Sequence, residues 1–155
     1  MKKEKKSQAK SNGEDIVRKV KKRLYAYPQL KENIKEYELD IEDTKKELFG
    51  RDKSIVLQVS RGGEPLSIEE RRAARILLLE QYKERDEREI KTIERALKKI
   101  EVEEYSGIIR LYYFDRLVVQ AIAERMHCDE STVYRKKARL VNMLSVILYG
   151  ADALV

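Results

Sequence analysis

The chain has 155 residues, of which 40% are charged and 42% hydrophobic, with nine Tyr, two Pro and one Cys. This length suits one domain with appendages or two very small domains, and this composition favours long solvated helices over a sheet. A single Cys excludes an intramolecular disulfide framework, and without an apolar N-terminal run we expect no membrane segment and an all-α protein of the reducing cytoplasm.

The formal net charge of +6 is concentrated at the two ends of the chain. Residues 1–23 hold ten Lys and Arg against three Asp and Glu, residues 24–104 hold 17 against 20, and residues 105–155 hold seven against five. A basic end attracts the phosphates of nucleic acids, although an ordinary solvated tail explains residues 1–11 equally well. Residues 1–11 lack an apolar face and are predicted to be a basic tail that is disordered when free.

Two helices are predicted before residue 50. Asn12 is a suitable N-cap for the first, whose apolar residues recur every four positions until Pro28 interrupts them. After Pro28 the apolar positions alternate steps of four and three, which is the heptad pattern of a coiled coil, and Gly50 ends the helix. The heptad positions are Leu30, Ile34, Tyr37, Ile41, Thr44 and Leu48.

Residues 51–66 break this pattern. The β-branched run SIVLQV predicts a short extended piece, and SRGGEP has the composition of a flexible link. Connections of this length are uncommon inside compact domains, so the segment is expected to be either mobile or held by a partner.

A third, long helix is predicted to begin at a capping box, Ser67 to Glu70, and to run for about 35 residues. It continues an apolar seam that Asp86 interrupts, and it can pack antiparallel on the preceding helix. Residues 12–100 are therefore expected to form a helical hairpin with residues 51–66 as a linker. Apolar positions outside the seam, such as Leu77 and Leu78, favour a homodimer or a higher homo-oligomer, with an isolated hairpin as the alternative.

The C-terminal segment, residues 101–155, has the composition of a compact core followed by a helix-turn-helix. Such a motif needs a small residue where the helices cross, a residue that tolerates left-handed backbone, an apolar neighbour and a branched anchor. Those positions are occupied by Ala123, His127, Cys128 and Val133. Asp129 is expected to cap the second helix, and Gly150 to end it.

The adjacent His127 and Cys128 also raise the alternatives of a metal site and a nucleophilic pair. A zinc site needs three or four ligands drawn mainly from Cys and His, and the chain has one of each. Neighbouring side chains diverge, and no group is evidently placed to orient the histidine as a base. No metal, cofactor or enzymatic activity is therefore predicted, and Cys128 is interpreted as a small buried hydrophobe.

The second helix of this motif carries the basic run of the C-terminal segment. Its first two turns are expected to enter the major groove of double-stranded DNA, where Ser, Thr, Glu and Arg side chains can meet base edges. The alternative is an ordinary solvated basic face. The candidate DNA-binding residues are Glu130, Ser131, Thr132, Tyr134, Arg135, Lys136, Lys137 and Arg139.

Residues 108–144, IIRLYYFDRLVVQAIAERMHCDESTVYRKKARLVNML, resemble region 4 of the primary (sigma-70) sigma factors. The stretch from Ser67 to the end resembles phage late-gene transcriptional activators of the RinA/ArpU class. The resemblance implies a sequence-specific DNA-binding activator that works with host RNA polymerase at a phage or prophage promoter.

The same resemblance assigns roles to single positions. It places Glu130, Ser131 and Arg135 at base edges, and Tyr134 and Arg139 near phosphate or facing protein. Lys136 and Lys137 are proposed as phosphate contacts from their charge alone. The chain departs from the sigma module in two places: His127 replaces a glycine, and Val118 replaces a Thr or Ser cap, so that Asp115 would have to cap that helix.

Two other classes of function remain as alternatives. A small-terminase-like DNA-packaging subunit also joins a helix-turn-helix to oligomerising helices, although its DNA-binding module usually comes first. A recombinase or nuclease is less well supported, because the sequence shows no clustered catalytic residues and no phosphate-cradling glycine loop.

Overall fold

The computed structural model describes residues 2–49, 63 and 65–154, with side chains from residue 13 onward. Four α-helices lie in these ranges: α1 (Lys2–Phe49), α2 (Ile68–Ile100), α3 (Val119–Met126) and α4 (Glu130–Tyr149). A π-helical segment, Arg110–Phe114, precedes α3, and a 3-10 turn, Gly150–Ala153, follows α4. The prediction of an all-α protein is confirmed. None of the helices in the described ranges is both long and apolar enough to cross a membrane.

Helix α1 is one continuous helix of 48 residues. The sequence predicted a disordered tail over residues 1–11, a helix start at Asn12 and an interruption at Pro28, whereas the backbone is helical throughout Lys2–Phe49. A proline inside a helix costs about 3 kcal/mol, and here packing of the flanking turns offsets that cost. Extension toward the N-terminus is inexpensive, because each added residue of a nucleated helix gains a hydrogen bond. The predicted stop at Gly50 lies outside the described residues, which end at Phe49 in this part of the chain.

The start of α2 has the hydrogen bonds that the sequence predicted. The Glu70 amide donates to the Ser67 hydroxyl oxygen at 3.1 Å, and the Ser67 amide donates to a Glu70 carboxylate oxygen at 2.8 Å. The capping box is therefore confirmed, and the predicted long third helix is α2. The predicted extended piece and link over residues 51–66 lie outside the described residues, apart from Gly63, Pro65 and Leu66.

The chain divides into two compact units. The first, unit 1, comprises Met1–Pro28 and Lys91–Val155, and the second, unit 2, is Gln29–Ile90. Each unit contains a part of α1 and a part of α2.

In unit 2 the two helix parts form an antiparallel pair. Two ion pairs give the direction, because Glu38 pairs with Lys83 at 3.0 Å, whereas Glu47, further along α1, pairs with the earlier residue Arg72 at 3.3 Å. Ile41, Ile76 and Leu79 are the buried apolar cluster of this pair, with Tyr37 and Leu48 packed against it. The predicted seam and the antiparallel pairing are therefore confirmed.

The seam of unit 2 also contains a buried carboxyl group. Asp86 is only 3% exposed. Its Oδ1 accepts a hydrogen bond from Nε of Arg85 at 2.8 Å, but its Oδ2 has no hydrogen-bond partner. Burial of an unpaired polar atom costs roughly 1–3 kcal/mol. Asp86 is therefore a destabilising residue at a position that the heptad pattern reserves for an apolar side chain.

Unit 1 has its own core, built from five parts of the chain, one of which is the end of α2 with the buried residues Ile93 and Ile100. Its first helix contributes Ile16, Val20, Leu24 and Tyr27, and the Tyr27 hydroxyl donates to Oε1 of Glu94 on α2 at 2.7 Å. The π-helical segment, α3 and α4 complete the core, so the buried residues of the C-terminal segment pack together with residues of α1 and α2. The most deeply buried side chains of that segment are Ile108, Ile109, Tyr113, Ile122, Val133, Leu140, Val141 and Leu144.

We expect Asp86→Leu to stabilise the protein by about 1–3 kcal/mol, because it removes an unpaired buried oxygen and fills a seam position. Arg85 loses its partner but keeps its hydration, since its side chain is 62% exposed. Equilibrium unfolding in urea measures the change. Asp43→Leu, at a side chain that is 74% exposed, is the control and should change stability by less than about 0.5 kcal/mol. A less stable Asp86→Leu protein would contradict the assignment.

Candidate functional site

The turn between α3 and α4 has the backbone geometry that the sequence predicted. His127 lies in the left-handed region with φ 53° and ψ 48°. Its amide donates to backbone oxygens of the last turn of α3, and the Cys128 amide donates to the Ala123 oxygen at 3.0 Å. Ala123 and Val133 are buried, while Cys128 is only partly buried. The turn thus ends α3, and α4 begins at Glu130 and packs against α3.

The N-termini of these two helices lack side-chain caps. Asp129 occupies the N-cap position of α4, as predicted, but its side chain makes no capping hydrogen bond. Val118 is the N-cap residue of α3 and likewise provides no side-chain bond. Asp115 instead ends the π-helical segment, and its amide donates to the Arg110 oxygen at 3.0 Å. The expectation that Asp115 caps α3 is therefore wrong.

One face of α4 is buried and the opposite face is exposed. Val133, Leu140, Val141 and Leu144 point into the core of unit 1. Because side chains three or four positions apart share a helix face, the polar residues at intermediate positions point outward. Four of the predicted site residues lie on this exposed face or at its start: Glu130, Ser131, Arg135 and Arg139.

One flank of this face meets an acidic turn, Glu101–Glu104, which directly follows α2. Nζ of Lys136 lies 2.9 Å from Oε2 of Glu104 and 5.3 Å from the centre of the Tyr105 ring. Arg139 pairs with Glu103 at 3.4 Å. Lys136 is thus partly buried and paired, and Arg139 is paired but remains exposed, with 63% of its side chain accessible to solvent. Thr132, also partly buried, precedes Lys136 by one turn.

The other flank meets aromatic side chains. Nζ of Lys137 lies 3.6 Å from the centre of the Tyr112 ring and 5.6 Å from that of Tyr134. Both distances are typical of cation–π contacts. Tyr134 itself is 54% exposed. The basic run is therefore not one solvated face, because Lys136 and Lys137 turn to opposite flanks.

The aromatic flank continues through a linked group of tyrosines. The rings of Tyr25 and Tyr113 meet edge to face at 4.7 Å, and those of Tyr112 and Tyr113 at 4.9 Å. A hydrogen bond between hydroxyls lowers the pKa of Tyr112 and raises that of Tyr25, as expected if Tyr25 is the donor. A further hydrogen bond from Lys137 also lowers the pKa of Tyr112, and burial raises the pKa of Tyr113. Tyr112 thus behaves as an acceptor beside a cation.

A groove of about 540 Å³ runs beside this aromatic flank. Arg116, itself in the left-handed region with φ 53°, lines the groove, and its Nη2 donates to the backbone carbonyl oxygen of Tyr25 at 3.3 Å. No local sequence pattern predicts a role for Tyr25 or Arg116, because the two residues lie 91 positions apart in the chain. The main lining residues are Tyr25, Tyr112, Arg116, Val118, Glu130 and Tyr134.

Chemistry that depends on a bound metal finds no support near His127. Over the described ranges, no three His, Cys, Asp or Glu side chains are grouped so that they could hold a metal ion. His127 points to solvent, and its neighbour Cys128 is partly buried.

We expect His127→Val to destabilise the protein by about 1–3 kcal/mol, because a β-branched side chain is strained at positive φ. His127→Gly is the matched control. Glycine adopts positive φ without strain, but it also gives the unfolded chain more conformational freedom. These two effects oppose each other, so the stability of the His127→Gly variant should lie within about 1 kcal/mol of wild type. Urea unfolding measures both. A valine variant as stable as the glycine variant would contradict the left-handed turn.

Comparison of the chain with protein-family models, with curated proteins and with solved structures finds no match in any of the three. A function is therefore proposed below from the chain's own sequence together with the geometry and charge of its described residues.

Proposed function

We propose that this chain is a sequence-specific DNA-binding transcriptional activator of phage or prophage genes. In this proposal α3, the turn at His127 and α4 are a helix-turn-helix, and α4 is its reading helix. The protein works in the cytoplasm with host RNA polymerase, as the resemblance of residues 108–144 to sigma region 4 implies, and performs no catalysis itself.

The observation that carries the proposal is the exposed face at the start of α4. Ser131 and Arg135 are both exposed on the first two turns, directly after the left-handed turn at His127. An α-helix fits the major groove of B-DNA, and in helix-turn-helix proteins the N-terminal residues of the second helix meet the base edges. A face sealed inside the core could not do this.

Arg135 is the best candidate for reading a base. Its guanidinium is planar and can donate two hydrogen bonds at once to O6 and N7 of guanine. Ser131 lies one turn earlier on the same face and can donate or accept, and Glu130 can accept from the amino group of cytosine. Thr132, which is half turned inward, is less accessible than these three residues.

The remaining cations are suited to phosphate rather than to base edges. Lys136 and Arg139 pair with Glu104 and Glu103, and in each pair one side chain is exposed to solvent, so that each pair contributes only about 0–1 kcal/mol. A DNA phosphate can therefore exchange for either carboxylate at little cost. Lys137 and Tyr134, on the aromatic flank, can reach a phosphate on the other side of the DNA major groove.

Self-association through unit 2 is a further part of the proposal. Leu39, Leu77 and Leu78 are 61%, 51% and 45% exposed, although the seam between the two helix parts is buried. Burying such side chains against a second copy is favourable, by roughly 25 cal/mol for each Å² of apolar surface. A homodimer would present two reading helices to repeated half-sites.

Selection of bound sequences from randomised DNA duplexes tests the proposed function. We expect one enriched motif, repeated at about 34 Å or a multiple of it if the protein binds as a dimer. Recovery of no motif, with binding that depends only on salt concentration, would contradict sequence-specific recognition.

We expect Arg135→Ala to weaken binding to the selected duplex by about 1–3 kcal/mol and to relax the preference at one base pair. The reason is the loss of both hydrogen bonds to a single guanine. Arg95→Ala is the control, because Arg95 is also exposed in unit 1 but lies on α2. Titrations against duplexes with single base changes measure the effect. An unchanged preference would remove Arg135 from the reading face.

We expect the full-length chain to sediment as a homo-oligomer, and the double change Leu77→Glu and Leu78→Glu to shift it toward the monomer. Two buried carboxylates at an apolar interface would be costly. Val102→Glu, at a residue that is 89% exposed in unit 1, is the control. A monomeric wild-type chain would contradict self-association, and a ring of eight or more copies would favour a DNA-packaging role over activation.

A further inference from the structure

The first helix of unit 1 is fixed against the segments that carry the proposed reading helix. Its residues Val20 and Leu24 are fully buried in the core. The Tyr27 ring stacks on Phe114 at 4.3 Å, and the Tyr25 ring meets Tyr113 at 4.7 Å. The exposed cations of this helix therefore have a defined position relative to α4.

Lys21 is on the side of α1 that faces the groove described above. Tyr25 lines that groove together with Glu130 and Tyr134 of α4. Lys21 precedes Tyr25 by one helical turn, so the two side chains share a face of α1. Lys21 is also exposed. The groove thus has the start of α4 on one side and the Lys21 side of α1 on the other.

A second observation puts Lys21 in the same place. The charge of Lys21 contributes to the lowered pKa of Tyr112, after the larger effects of hydrogen bonds from Tyr25 and Lys137. Lys137, on α4, lies 3.6 Å from the centre of the Tyr112 ring. Lys21 and Lys137 are therefore two cations from different helices beside one tyrosine.

The acidic residues near this surface do not cancel its charge. Asp15 is paired with Arg18 within α1. Glu14 is exposed on the same side of the helix, and Glu130 lines the groove. Arg116, Lys21 and Lys137 together outnumber Glu14 and Glu130, so the surface is suited to an anion.

The other side of α1 offers a matched comparison. Successive residues of an α-helix are rotated by about 100°, so Lys19 lies about 200° around the axis from Lys21. Lys19 is exposed like Lys21. Arg23, on the side of Lys19, lies 5.6 Å from the centre of the Tyr149 ring near the end of α4. The two lysines thus lie on the same helix and carry the same charge, but their side chains point to opposite sides of α1.

We propose that Lys21 binds a backbone phosphate of the same DNA duplex that α4 reads, so that α1 is a second DNA-contacting helix beyond the helix-turn-helix. This inference rests on the proposed function. The contact is independent of base sequence, because a lysine ammonium bound to phosphate carries no information about the bases. The Lys21 contact would hold the duplex on the side of α4 that carries the aromatic flank. The acidic turn Glu101–Glu104 lies on the opposite flank of α4.

The test compares Lys21→Gln with Lys19→Gln in the full-length chain. The probe is the duplex recovered by selection, titrated between 50 and 200 mM salt, conditions over which phosphate contacts lose much of their strength. We expect Lys21→Gln to weaken binding several-fold and to reduce the slope of log affinity against log salt by about 0.9, the value for one phosphate. Its preference among base-changed duplexes should equal that of wild type. Lys19→Gln should match wild type in affinity and slope.

Several results would overturn the inference. If Lys21→Gln has the wild-type slope while Arg135→Ala still relaxes base preference, α1 does not contact DNA and the proposed function stands. If both glutamine variants lose affinity equally, the effect is one of net charge and not of the Lys21 side. If the wild-type chain binds no duplex, the proposed function fails together with this inference. Both lysines are exposed, so thermal unfolding followed by circular dichroism should give wild-type stability for both variants.

Discussion

Burial of one face of α4 is the constraint on which the rest of the C-terminal structure depends. Val133, Leu140 and Leu144 are at most 2% exposed, and each fully buried side chain of this kind stabilises the fold by roughly 1.5–3 kcal/mol. Burial of the apolar face fixes the rotation of the helix about its axis, and this rotation determines where the polar face points. The outward position of Ser131 and Arg135 is therefore a consequence of the core, and the surface ion pairs contribute little to it.

The same core explains why α1 tolerates a proline. Leu24 and Tyr27 are buried directly before Pro28, and Tyr27 is held by a hydrogen bond to Glu94 and by stacking on Phe114. These contacts keep the preceding turn helical although Pro28 cannot donate a backbone hydrogen bond. The part of α1 before Pro28 is thereby fixed in the core of unit 1, and its residue Tyr25 lines one side of the groove.

The candidate site could be predicted only in part. Its positions along the chain follow from local rules, since the turn at His127 and the cap position of Asp129 depend on near neighbours. The directions of Lys136 and Lys137 do not, because each turns toward a partner, Glu104 or Tyr112, that lies far away in sequence. Charge alone suggested two equivalent phosphate contacts. Packing instead separates them onto an acidic flank and an aromatic flank.

The sequence by itself determined the helical class, the heptad seam, the capping box at Ser67, the left-handed turn and the C-terminal end of α4, because periodicity and capping act within a few residues. Tertiary structure alone decided three features: the continuity of α1 through Pro28, the burial of Asp86 without a second partner, and the groove between Tyr25 and α4. Each depends on the balance between a local preference and contacts made by distant residues. The local preference can be read from the sequence, but the contacts made by distant residues cannot.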